Sequence, residues 1–175
     1  MINNRINKLV SKFNKYDIDG YIIPKNDEFF SEYSANDRLK TISNFSGSAG
    51  YSIILKKKNY LFVDGRYTIQ AKKEAGKNFQ IIDLHKIINC NLFKNLSIGF
   101  DPKFFTSIQI KNFFYKNNKA KSIESNLIDQ IHQHNIKLNK PFFSLKTKVV
   151  GENYKTKIAK IRKFLNKNKS DYLFI

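Results

Sequence analysis

Few stretches of this sequence place reactive residue types at spacings that chemistry could use. Asn44-Phe45-Ser46-Gly47-Ser48-Ala49-Gly50 is small and glycine-rich, and its backbone N–H groups could cradle an anion. The spacing is not that of a phosphate loop, and the apolar run after it reads as a strand where a phosphate loop needs a helix N-terminus. It reads as a structural turn. Val63-Asp64-Gly65-Arg66-Tyr67 stands where a strand gives way to a helix. There Asp64 can cap the helix, Gly65 permits the tight turn, and Arg66 projects at the sheet edge. Two readings stay open: a capped turn with an exposed arginine, or a contact between Arg66 and an anion or carboxylate. His132 and His134 would share one side of a strand, but the segment reads as helix running into loop, with no acidic residue to complete a metal set. Carboxylates gather only at Asp27, Glu28 and Glu32, beside Asp37-Arg38. Two-metal hydrolysis needs several carboxylates and a histidine converging on ions ~3.5–4 Å apart. No such pattern is visible, and neither catalytic nor metal-binding residues are expected in this chain. Cys90, the single cysteine, has no adjacent basic partner; it reads as a small core residue in a helix-like run, Ile87 to Leu92.

The elements that would position these residues alternate. Ile6, Leu9, Val10 and Phe13 mark an amphipathic helix over about residues 3–15, and Tyr21-Ile22-Ile23, closed by Pro24, a buried strand. Residues 51–55 and 60–63 flank Lys56-Lys57-Lys58-Asn59 as a hairpin with a charged tip. A helix follows over 69–75, stopped by Gly76. Further strands are expected at 79–84, 97–100 and near Ser122-Ile123, and helices at 107–116 and 127–132. Alternation of this kind predicts an α/β domain over residues 1–140, with a mixed sheet and helices on both faces.

Residues 154–175 repeat the opening. Ile158, Ile161 and Leu165 mark a basic amphipathic helix and Asp171-Tyr172-Leu173-Phe174-Ile175 a strand, matching Ile6, Leu9, Phe13 and the run near Asp19 at a spacing of about 151 residues. The expected organisation is a linker at 141–153 and then the first helix and strand of a second, similar domain. A chain that stops inside an apolar strand also reads as the front end of something longer.

The formal net charge is +18, which invites a nucleic-acid reading. The kind of residue argues against it: 28 lysines stand against four arginines, and readers of bases and phosphates lean on the arginine fork. Lysine, asparagine and isoleucine all have A/T-rich codons, so genome composition accounts for the excess. With 41% hydrophobic residues, 16 Phe and 9 Tyr there is apolar mass for a core. No apolar run reaches the ~20 residues of a membrane helix, and no secretory signal opens the chain. A cytoplasmic protein without a specific nucleic-acid or membrane partner is expected.

Tyr21-Ile22-Ile23-Pro24, Ser31-Glu32-Tyr33, Asp37-Arg38, Phe45-Ser46-Gly47-Ser48-Ala49-Gly50, and Asp64-Gly65-Arg66-Tyr67 followed by Gln70-Ala71 stand in one order. Ile98-Gly99-Phe100-Asp101-Pro102 and Asn126-Leu127-Ile128-Asp129 continue it. Together they resemble the N-terminal domain of the cytosolic, three-domain Xaa-Pro aminopeptidases (aminopeptidase P) in the creatinase/prolidase group, peptidase family M24. His132 stands where that family often has Trp, and Pro141 comes late. The resemblance implies a ribonuclease H-like first domain that walls the substrate cleft and takes part in a homodimer, then a second domain of similar fold. It implies a third, metallopeptidase domain with two metal ions, commonly manganese, whose ligands have no counterparts in this chain. The complete enzyme would release the residue before proline from a peptide; the chain alone would be inactive. The alternative is a free-standing α/β binding module without a peptidase domain. Within the shared motifs, Arg38 and Arg66 are two of four arginines in a lysine-saturated chain. With Asp37 and Asp64 they are expected at one end of the sheet, either clamping the loop around Phe45, Ser46 and Gly47 or facing the cleft or dimer partner.

Overall fold

Gly20–Pro24 (β1) is buried at all five positions, as a strand flanked on both edges and covered on both faces must be. The computed structural model describes residues 2–31, 33–132 and 143–174. β2 (Gly50–Leu55), β3 (Asn59–Val63), β4 (Gln80–Asp83), β5 (Ser97–Phe100) and β6 (Lys119–Ser122) join β1 in a six-stranded sheet of order β4-β3-β2-β1-β5-β6. β2 is antiparallel to β1, with Ile22 opposite Ile53, and to β3, with Ile53 opposite Tyr60. The pairs β1–β5, β3–β4 and β5–β6 are parallel, so five strands share one direction and β2 opposes them.

Alternation sends Tyr21 and Ile23 to one face and Ile22 to the other. The first face is covered by α1 (Ile2–Val10), α2 (Phe13–Tyr16), α3 (Arg38–Ser43), α4 (Thr68–Ala75) and α6 (Leu127–Ile131), through Leu9, Phe13, Ile42, Ala71 and Leu127. The second is covered by α5 (Ser107–Phe114) and by 3₁₀ turns at Leu84–Ile87 and Pro102–Phe104. None of these helices is long enough to hold alone in water. Each is held by the apolar side chains it buries, worth roughly 1.5–3 kcal/mol for a side chain such as Leu9.

The expected helix over 3–15 breaks at Ser11, whose hydroxyl donates to Lys8 O at 2.9 Å and competes with the helical ladder. The helix-like run at 87–92 turns irregular after Ile87, with Asn89 left-handed (φ 51°), while Cys90 is buried and its thiol pKa is pushed up by that burial. The chain divides into two compact units, Met1–Ile136 and Lys137–Ile175. In the second, α7 (Thr147–Val150) and α8 (Tyr154–Lys167) bury no side chain among the described residues. The strand expected from Asp171 is not formed at 171–174: among the described residues of this unit there is no other strand for an apolar run to pair with. His134 and Pro141 lie outside the described residues, as does Glu32.

Candidate functional site

The connections leaving the five co-directional strands, and the glycine-rich loop entering β2, gather at one end of the sheet. From β1 the chain builds outward through β2, β3 and β4, then returns to add β5 and β6 on the other side of β1. The β1/β5 boundary is therefore a topological switch point, where open α/β sheets leave a crevice at the carboxyl ends of their strands.

Aspartates root this rim. Asp64 and Asp101 follow the last residues of β3 and β5, Asp83 is itself the last residue of β4, and each accepts from the N–H two residues on, at 3.0, 3.0 and 2.9 Å respectively. Asp101 is 3% exposed; Asn126 Nδ2 donates to its Oδ2 at 3.0 Å, tying the end of β5 to the start of α6. Burial pushes its carboxyl pKa up, against the opposing pull of the Lys103 N–H and Asn126. Burial likewise raises that of the Tyr21 hydroxyl, which accepts from Leu127 N at 3.4 Å.

Arg38, on the first turn of α3, reaches across to α6. Its Nε and Nη2 donate to Asp129 Oδ1 and Oδ2 at 2.9 and 2.7 Å, and its guanidinium lies 4.6 Å from the Phe104 ring centroid. Only 11% of its side chain is exposed. Asp37 caps α3 by accepting from Lys40 N at 2.9 Å, and its other oxygen pairs with Lys25 at the end of β1. Asn26 Nδ2 donates to Phe104 O at 3.1 Å, closing the switch point. Between these groups lies an open cleft of about 520 Å³, bordered by Glu28, Arg38, Lys103, Asn126 and Asp129.

The glycine-rich loop is held by α4. Glu74 accepts from Ser46 N and Ser46 Oγ at 2.7 and 2.8 Å, and Gln70 Nε2 donates to both Ser46 Oγ and Glu74 at 3.0 Å. Burial alone would raise the Glu74 carboxyl pKa; the Ser46 and Gln70 hydrogen bonds outweigh it and hold it below the usual range. Tyr67 and Ser48 share a hydroxyl contact of 2.9 Å, and the Tyr67 ring meets buried Phe45 edge-on at 5.9 Å. A Cβ on Gly47 would collide with the Phe45 ring, which is why the loop needs glycine there. Arg66 is 77% exposed and donates to Asp64 Oδ1 at 2.9 Å; this bond, first among the causes, lowers the Asp64 pKa.

The structure thus brings all seven expected residues to one rim and resolves their charged members into three pairs: Asp37–Lys25, Arg38–Asp129 and Asp64–Arg66. Sequence reasoning missed Lys25, Glu74, Asp101 and Asp129 as members. The Gln70–Glu74 helical spacing and an Asp closing β3, β4 and β5 were the available signals. Among the described residues no group of three or more His, Cys, Asp or Glu could hold a metal ion.

With this geometry in place, comparison with known proteins decides the family. The creatinase/prolidase N-terminal domain model matches residues 5–130. The chain belongs to that family. A probable Xaa-Pro aminopeptidase P of Coprinopsis cinerea is 31% identical over 175 aligned residues, covering 89% of this chain and 28% of that protein. An X-prolyl aminopeptidase of Caenorhabditis elegans, described as a cytosolic enzyme with a di-nuclear active site, superposes with TM-score 0.70 at 24% identity, covering 98% of this chain and 32% of its own. The N-terminal domain of the peptidase PepQ from Mycobacterium tuberculosis covers 74% of this chain, with TM-score 0.56 and 17% identity. The family fold is that of the first unit, and the chain spans about three-tenths of the curated relatives it matches. No helix among the described residues is long and apolar enough to cross a membrane.

Proposed function

We propose that this chain is the non-catalytic front part of a metal-dependent Xaa-Pro aminopeptidase, an enzyme that releases the first residue of peptides with proline in second position. The observation that carries the reading is coverage. Curated Xaa-Pro aminopeptidases align over 89–99% of the chain, beyond the family domain that ends at residue 130. At the level of fold, the C. elegans enzyme also covers the second unit, whereas the PepQ domain covers only about the length of the first.

In this reading the rim at the switch point is a wall of the substrate cleft. Its members are suited to shaping rather than to bond-breaking: Arg38 is locked by Asp129 and Phe104, and Asp101 is buried and capped. What remains for a peptide is the open cleft beside Glu28 and Lys103, whose polar groups can meet an extended backbone. A two-metal centre does not fit the described residues of this chain; in this proposal the hydrolytic step belongs to a further domain. The complete enzyme is a cytoplasmic homodimer with manganese at that centre.

The test is hydrolysis of an X-Pro peptide. The complete polypeptide should release the first residue, lose activity to a chelator and regain it with manganese, while the 175-residue chain stays inactive under the same conditions. Chelator-sensitive turnover by the chain alone, or a complete polypeptide indifferent to proline in second position, would overturn the reading.

A further inference from the structure

The amino ends of the parallel strands lie opposite the rim and hold a hollow of about 320 Å³, between the β2–β3 hairpin and segment 92–96. Its walls are fixed. Asn118 Nδ2 donates to Phe93 O and Asn118 Oδ1 accepts from Leu96 N, both at 3.2 Å. Asp19 Oδ2 accepts from Ser97 N at 3.0 Å. Leu55, Tyr60 and Phe93 form a buried floor, and Leu92 stands exposed at the edge.

Two features of this hollow are not explained by folding. Tyr60 is only 3% exposed and its ring packs against Phe93 with centroids 5.9 Å apart. Its hydroxyl nevertheless makes no hydrogen bond among the described residues, although enclosed polar groups are normally paired. Burial raises the pKa of that hydroxyl, so it keeps its proton and offers a donor. The second feature is the charge at the mouth, where Lys56, Lys57 and Lys58 follow one another in the turn. Lys56 reaches Asp19 at 3.4 Å, but Lys57 and Lys58 form no ion pair among the described residues. Adjacent like charges repel, and an anion among them relieves the repulsion. A free donor and two unpaired cations thus stand over an apolar floor.

We propose that this hollow binds a single-chain amphiphile with a phosphate head. The tail lies on Leu55, Leu92, Phe93 and Leu96, and the head sits between Lys57, Lys58 and the Tyr60 hydroxyl. Charge selects the head: a phosphate monoester carries about −1.5 to −2 at neutral pH, which matches two unpaired lysines, and its oxygens accept from a hydroxyl. Size selects the tail. At roughly 30 Å³ per heavy atom, the share of a water in the liquid, the hollow takes about eight to ten carbons. A bilayer is a poorer occupant, because Leu92 alone among the apolar lining residues is exposed and a membrane contact needs a broad apolar face. The site is at the far end of the sheet from the cleft and does not depend on the peptidase reading.

Calorimetric titration of the 175-residue chain with octyl phosphate, below its micellar concentration, should show saturable binding that weakens as salt is raised. The dissociation constant should be about 1 mM or lower. Ethyl phosphate and octanol keep only the head or only the tail, and each should bind at least about tenfold more weakly. Tyr60→Phe should weaken octyl phosphate about tenfold while leaving the thermal midpoint of the free chain unchanged or raised, because the lost hydroxyl has no partner. Lys57→Gln with Lys58→Gln should also weaken it about tenfold. The same charge change on α4, Lys72→Gln with Lys73→Gln, should leave it within about twofold. Absence of saturable binding overturns the proposal, as do equal losses from the two lysine pairs or a Tyr60→Phe chain that binds as tightly as the parent. Ethyl phosphate binding as tightly as octyl phosphate overturns it too, and so does binding to phosphatidic acid vesicles alone.

Discussion

Arg38 and Arg66 carry the same guanidinium in opposite surroundings, and burial decides what each is worth. Arg38 is nearly enclosed, bidentate to Asp129 and stacked on Phe104, so Arg38→Lys keeps the charge but loses the fork and the stacking. Urea unfolding of that variant should show a loss of ~1–3 kcal/mol. Arg66 lies in solvent, and Arg66→Lys should leave the urea midpoint unchanged. Gly47→Ala should cost ~1–3 kcal/mol, because the added carbon meets a Phe45 ring with no room to move. Glu74 sets a pH dependence. Its folded-state pKa lies below the usual carboxylate value, so its stabilising effect is full above that usual value and is lost as pH falls through the lowered one. The difference in urea midpoint between the parent and Glu74→Gln should therefore close at acid pH; a difference that persists there would show that the clamp does not depend on charge.

At the scale of elements, one device recurs: a parallel strand ends, and an aspartate turns the chain by accepting from the N–H two residues on. The capping box of Thr106 and Gln109 at the start of α5 serves the same need, since the first N–H groups of a helix have no partner within it. Asp37 combines the cap of α3 with the pair to Lys25. Asp37→Asn keeps an accepting oxygen and should lose ~1–3 kcal/mol by leaving a mostly buried lysine unpaired. Asp37→Ala should lose about 1 kcal/mol more with the cap. Equal losses in calorimetry would show that the cap contributes nothing. Helix α3 itself escaped sequence reading because its only periodic signal is Leu39 and Ile42, a single turn in a polar stretch.

For the molecule as a whole, the buried members of both apolar clusters among the described residues lie within residues 6–128, with Ile2 and Ile131 packed against the first. Deleting residues 137–175 should therefore leave the cooperative unfolding transition of the first unit in place, with a similar midpoint by circular dichroism. The +18 charge predicts weak, sequence-independent binding to duplex DNA that disappears near physiological salt, because screening removes what scattered lysines supply. Filter binding in a salt series would show it; tight, sequence-dependent binding at physiological salt would mean that codon composition does not explain the lysines.

The sequence by itself determined the strands from β1 to β5, the hairpin, the mixed sheet and the set of motif residues. All of these rest on short-range patterns: apolar alternation, glycine and aspartate at turns, and residue order along the chain. It did not determine which charges pair. Asp129 lies 91 residues from Arg38, and Asn126 lies 25 from Asp101; no local pattern encodes such distances. Only the sheet order, with β5 and β6 returning beside β1, places them together. The clamp on Ser46 is a similar case: the arginines were the conspicuous residues, yet the helix that follows β3 sets Glu74 and Gln70 against the loop. Run 171–174 shows the converse, since its apolar pattern favours a strand but a strand forms only where tertiary structure supplies a neighbour.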